Sequence, residues 1–87
     1  MAQVTKATLT TDWTALSDVM TVEENVSYYI QNRSPYNIIA CESSSEPTTE
    51  EGILVLPYRV LFYEKGTQNL YLRTLENTAL INISSEG

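Results

Sequence analysis

The stretch VSYYIQNRSPYNIIAC, residues 26–41, shows how this chain is built. Val26, Tyr28 and Ile30 alternate with more solvent-tolerant neighbours, and this period of two is typical of a half-buried β-strand. Turn-forming residues and a proline follow, and proline cannot donate to a strand ladder. A second apolar run then ends the stretch. The pattern therefore predicts two antiparallel strands joined as a hairpin.

Short apolar runs of this kind recur along the whole chain. They are rich in Val, Ile, Leu, Tyr and Thr, and clusters of Ser, Asn, Pro, Gly and Glu separate them at a spacing of about ten residues. We therefore predict one all-β domain over residues 1–87, a small antiparallel β-sandwich or barrel of about six to eight short strands. Residues 4–9 are expected to form an edge strand. The runs on either side of Pro57 should meet at a corner or an edge, and the C-terminal half should be a meander.

At most one short helical turn is expected, near the N-terminus. Thr11 and Asp12 can cap a turn over residues 13–16. Trp13 and Leu16, spaced at i and i+3, would then both point inward and cover one open end of the sandwich. The polar segment of residues 42–52 is predicted to be a loop and the most mobile part of the chain.

The charge balance argues against a nucleic-acid partner. Eleven acidic and five basic residues give a net charge of −6, which repels a phosphate backbone. A basic protein partner, or solubility alone, fits this charge. No secretory pattern and no apolar run near the roughly 20 residues that span a bilayer is found, so we expect synthesis in the cytoplasm and no membrane contact.

The residues that carry most enzyme chemistry are missing or isolated. The chain has no histidine, which removes the usual general base and the commonest transition-metal ligand. The one cysteine, Cys41, cannot form an intrachain disulfide and is predicted to be a buried, inert thiol. The acidic loop lacks the ligand spacing of a calcium site. We therefore predict a protein that is not an enzyme, with no catalytic residue, cofactor or metal.

The six tyrosines are the remaining candidates for a binding role. Tyrosine combines a rigid apolar face with a hydroxyl that tolerates water, which suits protein or sugar contacts. Tyr29, Tyr36 and Tyr58 are predicted interface residues because each is out of phase with the inward row or lies beside a turn. Ordinary cross-strand packing is the alternative for each of them.

Several short motifs occur in a familiar order along the chain. They are WTAL (13–16), YIQNRS (29–34), SEP (45–47), GILVL (52–56), LYLRT (70–74) and the last run LINIS (80–84). In this order they resemble the small β-structured virion proteins of tailed bacteriophages. The resemblance implies a structural component of the particle with no catalytic residues, such as a capsid decoration (cement) protein, a head-fibre base or a tail adaptor. It implies location in the virion and binding to other virion proteins, either the major capsid protein or a tail or neck protein.

A small core and exposed sheet edges also favour assembly. Subunit contacts would cover edges that Pro35 and Pro57 only partly protect, so we expect a homo-oligomer, with a trimer as the suggested symmetry. Two other functions remain open. One is a carbohydrate- or receptor-binding β module that stacks sugars on aromatic faces. The other is a small acidic inhibitor of a host enzyme.

Overall fold

A computed structural model describes residues 4–49 and 51–86, which form eight β-strands and one 3₁₀ turn at Leu16–Asp18. Residues 1–3, 50 and 87, which belong to the predicted domain and its polar loop, lie outside the described residues. In chain order the strands are β1 (Val4–Leu9), β2 (Thr14–Ala15), β3 (Ser27–Asn32), β4 (Ile38–Ser43), β5 (Ile53–Val55), β6 (Val60–Glu64), β7 (Asn69–Thr74) and β8 (Ala79–Glu86). The prediction of an all-β sandwich of six to eight short strands, with at most one short helical turn, is confirmed.

The strands form two antiparallel four-stranded sheets that enclose one core. Sheet A has the order β1-β8-β3-β6, and sheet B has the order β2-β7-β4-β5. Strand β1 pairs with β8, β2 with β7, β3 with β6 and β4 with β5, so the chain resembles one long hairpin wound around the core. Eight antiparallel strands in this order form a jelly roll.

Consecutive strands mostly lie in different sheets. Among the described strands, only β4 and β5 follow each other within one sheet. The predicted hairpin of residues 26–41 and the predicted C-terminal meander are therefore wrong. An alternating pattern shows that a strand has one buried face, but both sheets bury such a face against the same core. The pattern therefore does not distinguish a neighbour in the sheet from a strand across the core.

Several predictions about single strands are confirmed. Strand β1 lies at an edge of sheet A, and the runs beside Pro57 lie at the edges of the two sheets. Within β3, Tyr28 and Ile30 are buried, whereas Tyr29 is 39% exposed. The period of two therefore identified the core face of β3 correctly.

The helical turn lies later in the chain than predicted. Thr14–Ala15 form β2, paired with β7, and the 3₁₀ turn begins at Leu16 without a side-chain cap. Leu16 is buried as expected, but Trp13 is only half-buried. The Trp13 Nε1–H donates to the carbonyl oxygen of Thr49 at 3.2 Å, and the Arg73 guanidinium lies 5.6 Å from the Trp13 ring centroid. Because β2 keeps its strand pairing, Trp13 contacts the polar loop and β7 instead of covering the end of the core.

The core takes side chains from both sheets. Cys41 is not among them, although a buried thiol was predicted: it is half-buried, because β4 turns Ala40 inward and places Cys41 on the other face, opposite Tyr71. The core cluster consists of Leu9, Leu16, Tyr28, Ile30, Ile38, Ala40, Val55, Tyr63, Leu70, Leu72, Ala79, Ile81 and Ile83.

One buried polar side chain joins the two sheets. Asn32, the last residue of β3, is fully buried. Its Nδ2 group donates to the carbonyl oxygens of Tyr36 at 2.6 Å, Val55 at 3.2 Å and Leu56 at 3.3 Å. Its Oδ1 accepts from the Ser34 backbone N–H at 3.0 Å and from the Ser34 hydroxyl at 2.7 Å. The amide thus ties the β3–β4 connection to the segment between β5 and β6.

Replacing Asn32 should be costly. Asn32→Ala removes one donor from each of three carbonyl oxygens and removes the acceptor of the Ser34 backbone N–H. The Leu56 carbonyl keeps the Arg59 N–H and the Tyr36 carbonyl keeps the Ser34 hydroxyl as donors, so we expect the free energy of unfolding to fall by about 1 to 3 kcal/mol. Urea denaturation measures this change. Asn37→Ala, at an exposed position of the same connection, is the matched control and should change stability by about 0.5 kcal/mol or less. Equal effects of the two variants would contradict the role given to Asn32.

Candidate functional site

An exposed apolar surface follows the chain from β5 to β6. We call it the β5–β6 strip, and its side chains are 48 to 62% exposed. Strand β5 is the edge of sheet B and β6 is the edge of sheet A, so the strip borders one open side of the sandwich. A groove of about 340 Å³ runs between the two edges. The strip consists of Ile53, Leu54, Leu56, Tyr58, Val60 and Phe62.

A tight turn creates the corner in the middle of the strip. The Arg59 N–H donates to the Leu56 carbonyl oxygen at 3.1 Å, which closes a four-residue turn with Pro57 at its second position. Tyr58, at the third position, has φ 62°. Pro at the second position and positive φ at the third are features of a type II turn, which favours Gly or Asn where this chain has Tyr58.

Tyr58 therefore occupies a strained backbone position while its side chain is exposed. The other non-glycine residues with positive φ in the described chain are Asn25 and Asn77, a residue type that tolerates this region. A bulky aromatic side chain there costs of order 1 kcal/mol. Because 58% of Tyr58 is exposed, packing within this chain offsets little of that cost.

The outer face of sheet A continues the strip. The Tyr29 and Phe62 rings lie opposite each other on β3 and β6, with centroids 5.3 Å apart and planes tilted by 57°. The same row of the sheet continues through Ser84 of β8 to the exposed Val4 of β1. Tyr29 is therefore joined through Phe62 to the β5–β6 strip.

A shallow depression of about 190 Å³ lies on this outer face. The Asn82 Oδ1 atom is buried and accepts no hydrogen bond from the described residues. Tyr29 and Gln31 offer an aromatic face and an amide nearby. A ligand with hydroxyl donors and an apolar face matches these groups. The depression is lined by Val4, Tyr29, Gln31, Val60, Asn82 and Ser84.

The three predicted interface tyrosines have different surroundings. Tyr58 belongs to the strip, and Tyr29 contacts it through Phe62. Tyr36 is half-buried, and its backbone carbonyl shares the Asn32 amide with the carbonyls of the corner. The backbone of Tyr36 therefore borders the corner, but its side chain is not one of the exposed members of the strip.

Sequence reasoning missed the aliphatic members of the strip and Phe62. They occur in apolar runs that were interpreted as strands only. One signal was present in the sequence: Ile53 to Leu56 are apolar without alternation, and Pro57 follows directly. An apolar run that ends at a proline is compatible with an edge strand, where the second apolar face has no sheet over it.

Strand β6 also carries a buried ionisable group. The Tyr63 hydroxyl donates to Glu42 Oε2 at 3.1 Å and to the Gln68 carbonyl oxygen at 3.4 Å. Burial, and then the hydrogen bond to and the charge of Glu42, raise the pKa of Tyr63 well above its usual value of 10.0. Tyr63 therefore keeps its proton in the folded protein at a pH at which it would lose it in the unfolded chain.

This pKa shift makes stability sensitive to alkaline pH. Above pH 10 the unfolded chain binds fewer protons at Tyr63 than the folded protein does, so the free energy of unfolding falls as pH rises, by up to about 1.4 kcal/mol per pH unit. Below pH 10 Tyr63 is protonated in both the folded and the unfolded chain, so its contribution to the free energy of unfolding is fully present. Tyr63→Phe removes this term, so its stability should fall less steeply above pH 10 than that of the original chain. Parallel slopes in urea denaturation at stepped pH would contradict the assignment.

The strain at Tyr58 also has a measurable consequence. Because glycine adopts positive φ without steric cost, Tyr58→Gly should raise the free energy of unfolding by about 0.5 to 1 kcal/mol. Tyr29→Gly, the same substitution within strand β3, should lower it instead. Thermal or urea denaturation of both variants tests this opposite sign. A loss of stability in Tyr58→Gly would show that its side chain stabilises the fold.

Comparisons with known proteins identify no relative. No protein-family model matches the chain, and neither does any curated protein or any solved structure. Across residues 4–49 and 51–86, no group of three or more Cys, Asp or Glu side chains could hold a metal ion. In the same described part, none of the helical structure has the length and apolar character needed to cross a membrane.

Proposed function

We propose that this protein is a non-catalytic structural subunit of a bacteriophage particle. Within the particle, its role is that of a capsid decoration protein or a similar small virion component that binds other virion proteins. The proposal combines the order of the sequence motifs with the surface of the domain. The β5–β6 strip is the observation that carries it.

An apolar strip on an acidic domain favours binding to another protein. Contiguous exposed apolar patches rimmed by polar residues mark interaction sites in soluble proteins. The strip is flanked by Glu51 and Glu64, and Arg59 is the one charged residue between them. The strip can therefore be covered by a partner with little loss of charge hydration.

The strained Tyr58 supports the same proposal. A residue that costs backbone energy and is mostly exposed contributes little to the fold of this chain. Strained positions cluster at functional sites. Tyrosine is also among the residues that dominate protein interfaces. A contact with a partner explains why the turn carries an aromatic side chain where glycine is favoured.

The jelly-roll strand order is compatible with this role but does not select it. Viral capsid domains, lectin domains and cupins all use jelly rolls. Fold alone therefore supports a virion protein and a sugar-binding protein equally. The strip supports a protein partner, since it is aliphatic over much of its length and has few groups that could bind sugar hydroxyls.

Carbohydrate binding is the second candidate function. It is favoured by the depression on sheet A, where Tyr29 could stack on a sugar and the Asn82 Oδ1 atom has no donor among the described residues. The depression, at about 190 Å³, is smaller than the roughly 300 to 1,000 Å³ of typical ligand pockets. This size makes it the weaker candidate.

Mass spectrometry of purified particles tests the proposed function. The host strain that produces this chain should yield particles that contain it at a copy number fixed by capsid or tail symmetry. Hundreds of copies would identify a decoration protein, and about six or twelve copies a neck or tail adaptor. Absence from intact particles would overturn the proposal. Glycan binding that is lost in Tyr29→Ala, together with that absence, would replace it with the second candidate.

A further inference from the structure

A cavity of about 440 Å³ opens at one end of the sandwich, between sheet A and the segment that joins the 3₁₀ turn to β3. The described residues that line it differ from those of the groove along the β5–β6 strip and those of the depression on the outer face of sheet A. Typical ligand pockets have volumes of roughly 300 to 1,000 Å³. The cavity is therefore large enough to hold a small molecule.

The inward rows of two strands of sheet A end in short polar side chains at this cavity. Ile81 and Ile83 of β8 are fully buried, and Ser85 continues the same inward row as a half-buried residue. On the neighbouring β1, Thr5 lies opposite Ile83. Thr5 and Ser85 both line the cavity. Because a close-packed core would need larger aliphatic side chains at these two positions, the core stops short of this end and leaves an open volume.

The segment of residues 19–26 forms the other wall of the cavity and is attached to the domain at both ends. At its start, the Val19 N–H donates to the Leu16 carbonyl oxygen at 3.1 Å. At its end, the Lys65 N–H donates to the Val26 carbonyl oxygen, also at 3.1 Å. Val19 and Val26 pack against the core cluster. The wall is therefore part of the folded domain, and the cavity is already formed before any ligand enters.

A buried tyrosine presents an unused hydrogen-bond donor to the cavity. Tyr28 lines the cavity and is only 2% exposed. Its hydroxyl oxygen accepts from the Glu23 backbone N–H at 2.8 Å, but within the described chain its O–H has no acceptor. A buried tyrosine hydroxyl usually finds a partner for its proton. The free donor therefore indicates that a molecule in the cavity supplies the acceptor.

The polar groups of the lining select the chemical class of that molecule. Among the described lining residues, Glu23 is the one charged residue, and together with the net charge of −6 it disfavours an anion. An ammonium ion would suit Glu23 but has no acceptor for the Tyr28 O–H. The hydroxyl groups of Thr5, Thr21 and Ser85 can both donate and accept. A neutral molecule with several hydroxyl groups can therefore pair with all of these side chains.

We propose that this end cavity binds a neutral saccharide. A sugar hydroxyl accepts from the Tyr28 O–H and donates its own proton to a neighbouring hydroxyl or to the Glu23 carboxylate, while the C–H groups of the ring pack on Val19 and Val26. This site is distinct from the depression on sheet A, because Tyr28 is buried and Tyr29 is exposed on the opposite face of β3. The inference concerns a small ligand and does not depend on the proposed virion role.

Nuclear magnetic resonance titration of the full chain tests the proposed ligand class. The probes are a panel of neutral mono- and disaccharides, with acetate as an anionic probe and tetramethylammonium as a cationic one. At least one saccharide should give saturable shifts of the backbone amides of Thr5, Thr21, Tyr28 and Ser85, and the two ions should not. A cavity that holds water alone, with no saturable shift from any saccharide, would overturn the inference. Shifts of these amides by either ion instead of a saccharide would overturn it as well.

Two tyrosine-to-phenylalanine variants test the role of the free hydroxyl. Tyr28→Phe keeps the ring but removes the donor, so it should weaken saccharide binding about tenfold. Tyr71→Phe, on β7 of sheet B and outside the cavity lining, is the matched control and should leave binding within about twofold. Equal effects of the two variants would contradict the role of Tyr28. Binding that is lost in Tyr29→Phe but kept in Tyr28→Phe would place the sugar in the outer depression and overturn the inference.

A variant that fills the cavity tests the site without removing any hydrogen bond of Tyr28. Ser85→Val adds volume at the end of the inward row of β8, so it should weaken saccharide binding tenfold or more and leave the urea midpoint unchanged. Circular dichroism checks that all variants are folded. Unchanged binding in Ser85→Val would overturn the inference. A chain that is present in particles but binds no saccharide would overturn this inference alone, whereas a chain that binds a saccharide but is absent from particles would overturn only the proposed function.

Discussion

The amide of Asn32 is the contact on which the arrangement of the two sheets most depends. At the end of β3 the chain leaves sheet A and crosses to sheet B, and Asn32 and Ser34 are buried at this crossing. The carbonyl oxygens of Tyr36, Val55 and Leu56 accept hydrogen bonds from the Asn32 amide there, and the Ser34 N–H donates to it. A primary amide carries two donor hydrogens and an acceptor oxygen on one rigid group, so a single side chain can serve both connections. A carboxylate would lack the donors, and an aliphatic side chain would lack both.

Asn32 also contacts the corner of the β5–β6 strip. Its amide holds the Val55 and Leu56 carbonyls just before the turn that the Arg59 N–H closes. In this turn the chain passes from the edge of one sheet to the edge of the other, and the apolar residues of the strip lie on both sides of it. Tyr58, at positive φ in the turn, adds a strained aromatic residue to the same place.

Much of the fold could be predicted because it depends on near neighbours in the chain. The alternation in β3 correctly separated Tyr28 and Ile30 from Tyr29. The strand pairings could not be predicted in the same way, since β3 and β4 show the same local pattern whether they pair or face each other. For the candidate site, Tyr58 was recognised beside its proline, whereas Phe62 was not. Val60 and Phe62 alternate with Leu61 and Tyr63, so both faces of β6 are apolar, and only the position of the other sheet shows which face is exposed.

The sequence by itself determined an all-β architecture, the position of most strands, an acidic surface and the absence of histidine as a general base or metal ligand. These properties follow from composition and from residues two to four positions apart. Only the tertiary structure decided that Asn32 is buried and bonded to three carbonyl oxygens, and that β6 is an edge strand with an exposed apolar face. Both depend on contacts between distant parts of the chain, such as the hydrogen bond from Asn32 to Leu56 across 24 positions. Local preference selects the strand, but packing and backbone hydrogen bonding across the core select its neighbours and its exposed face.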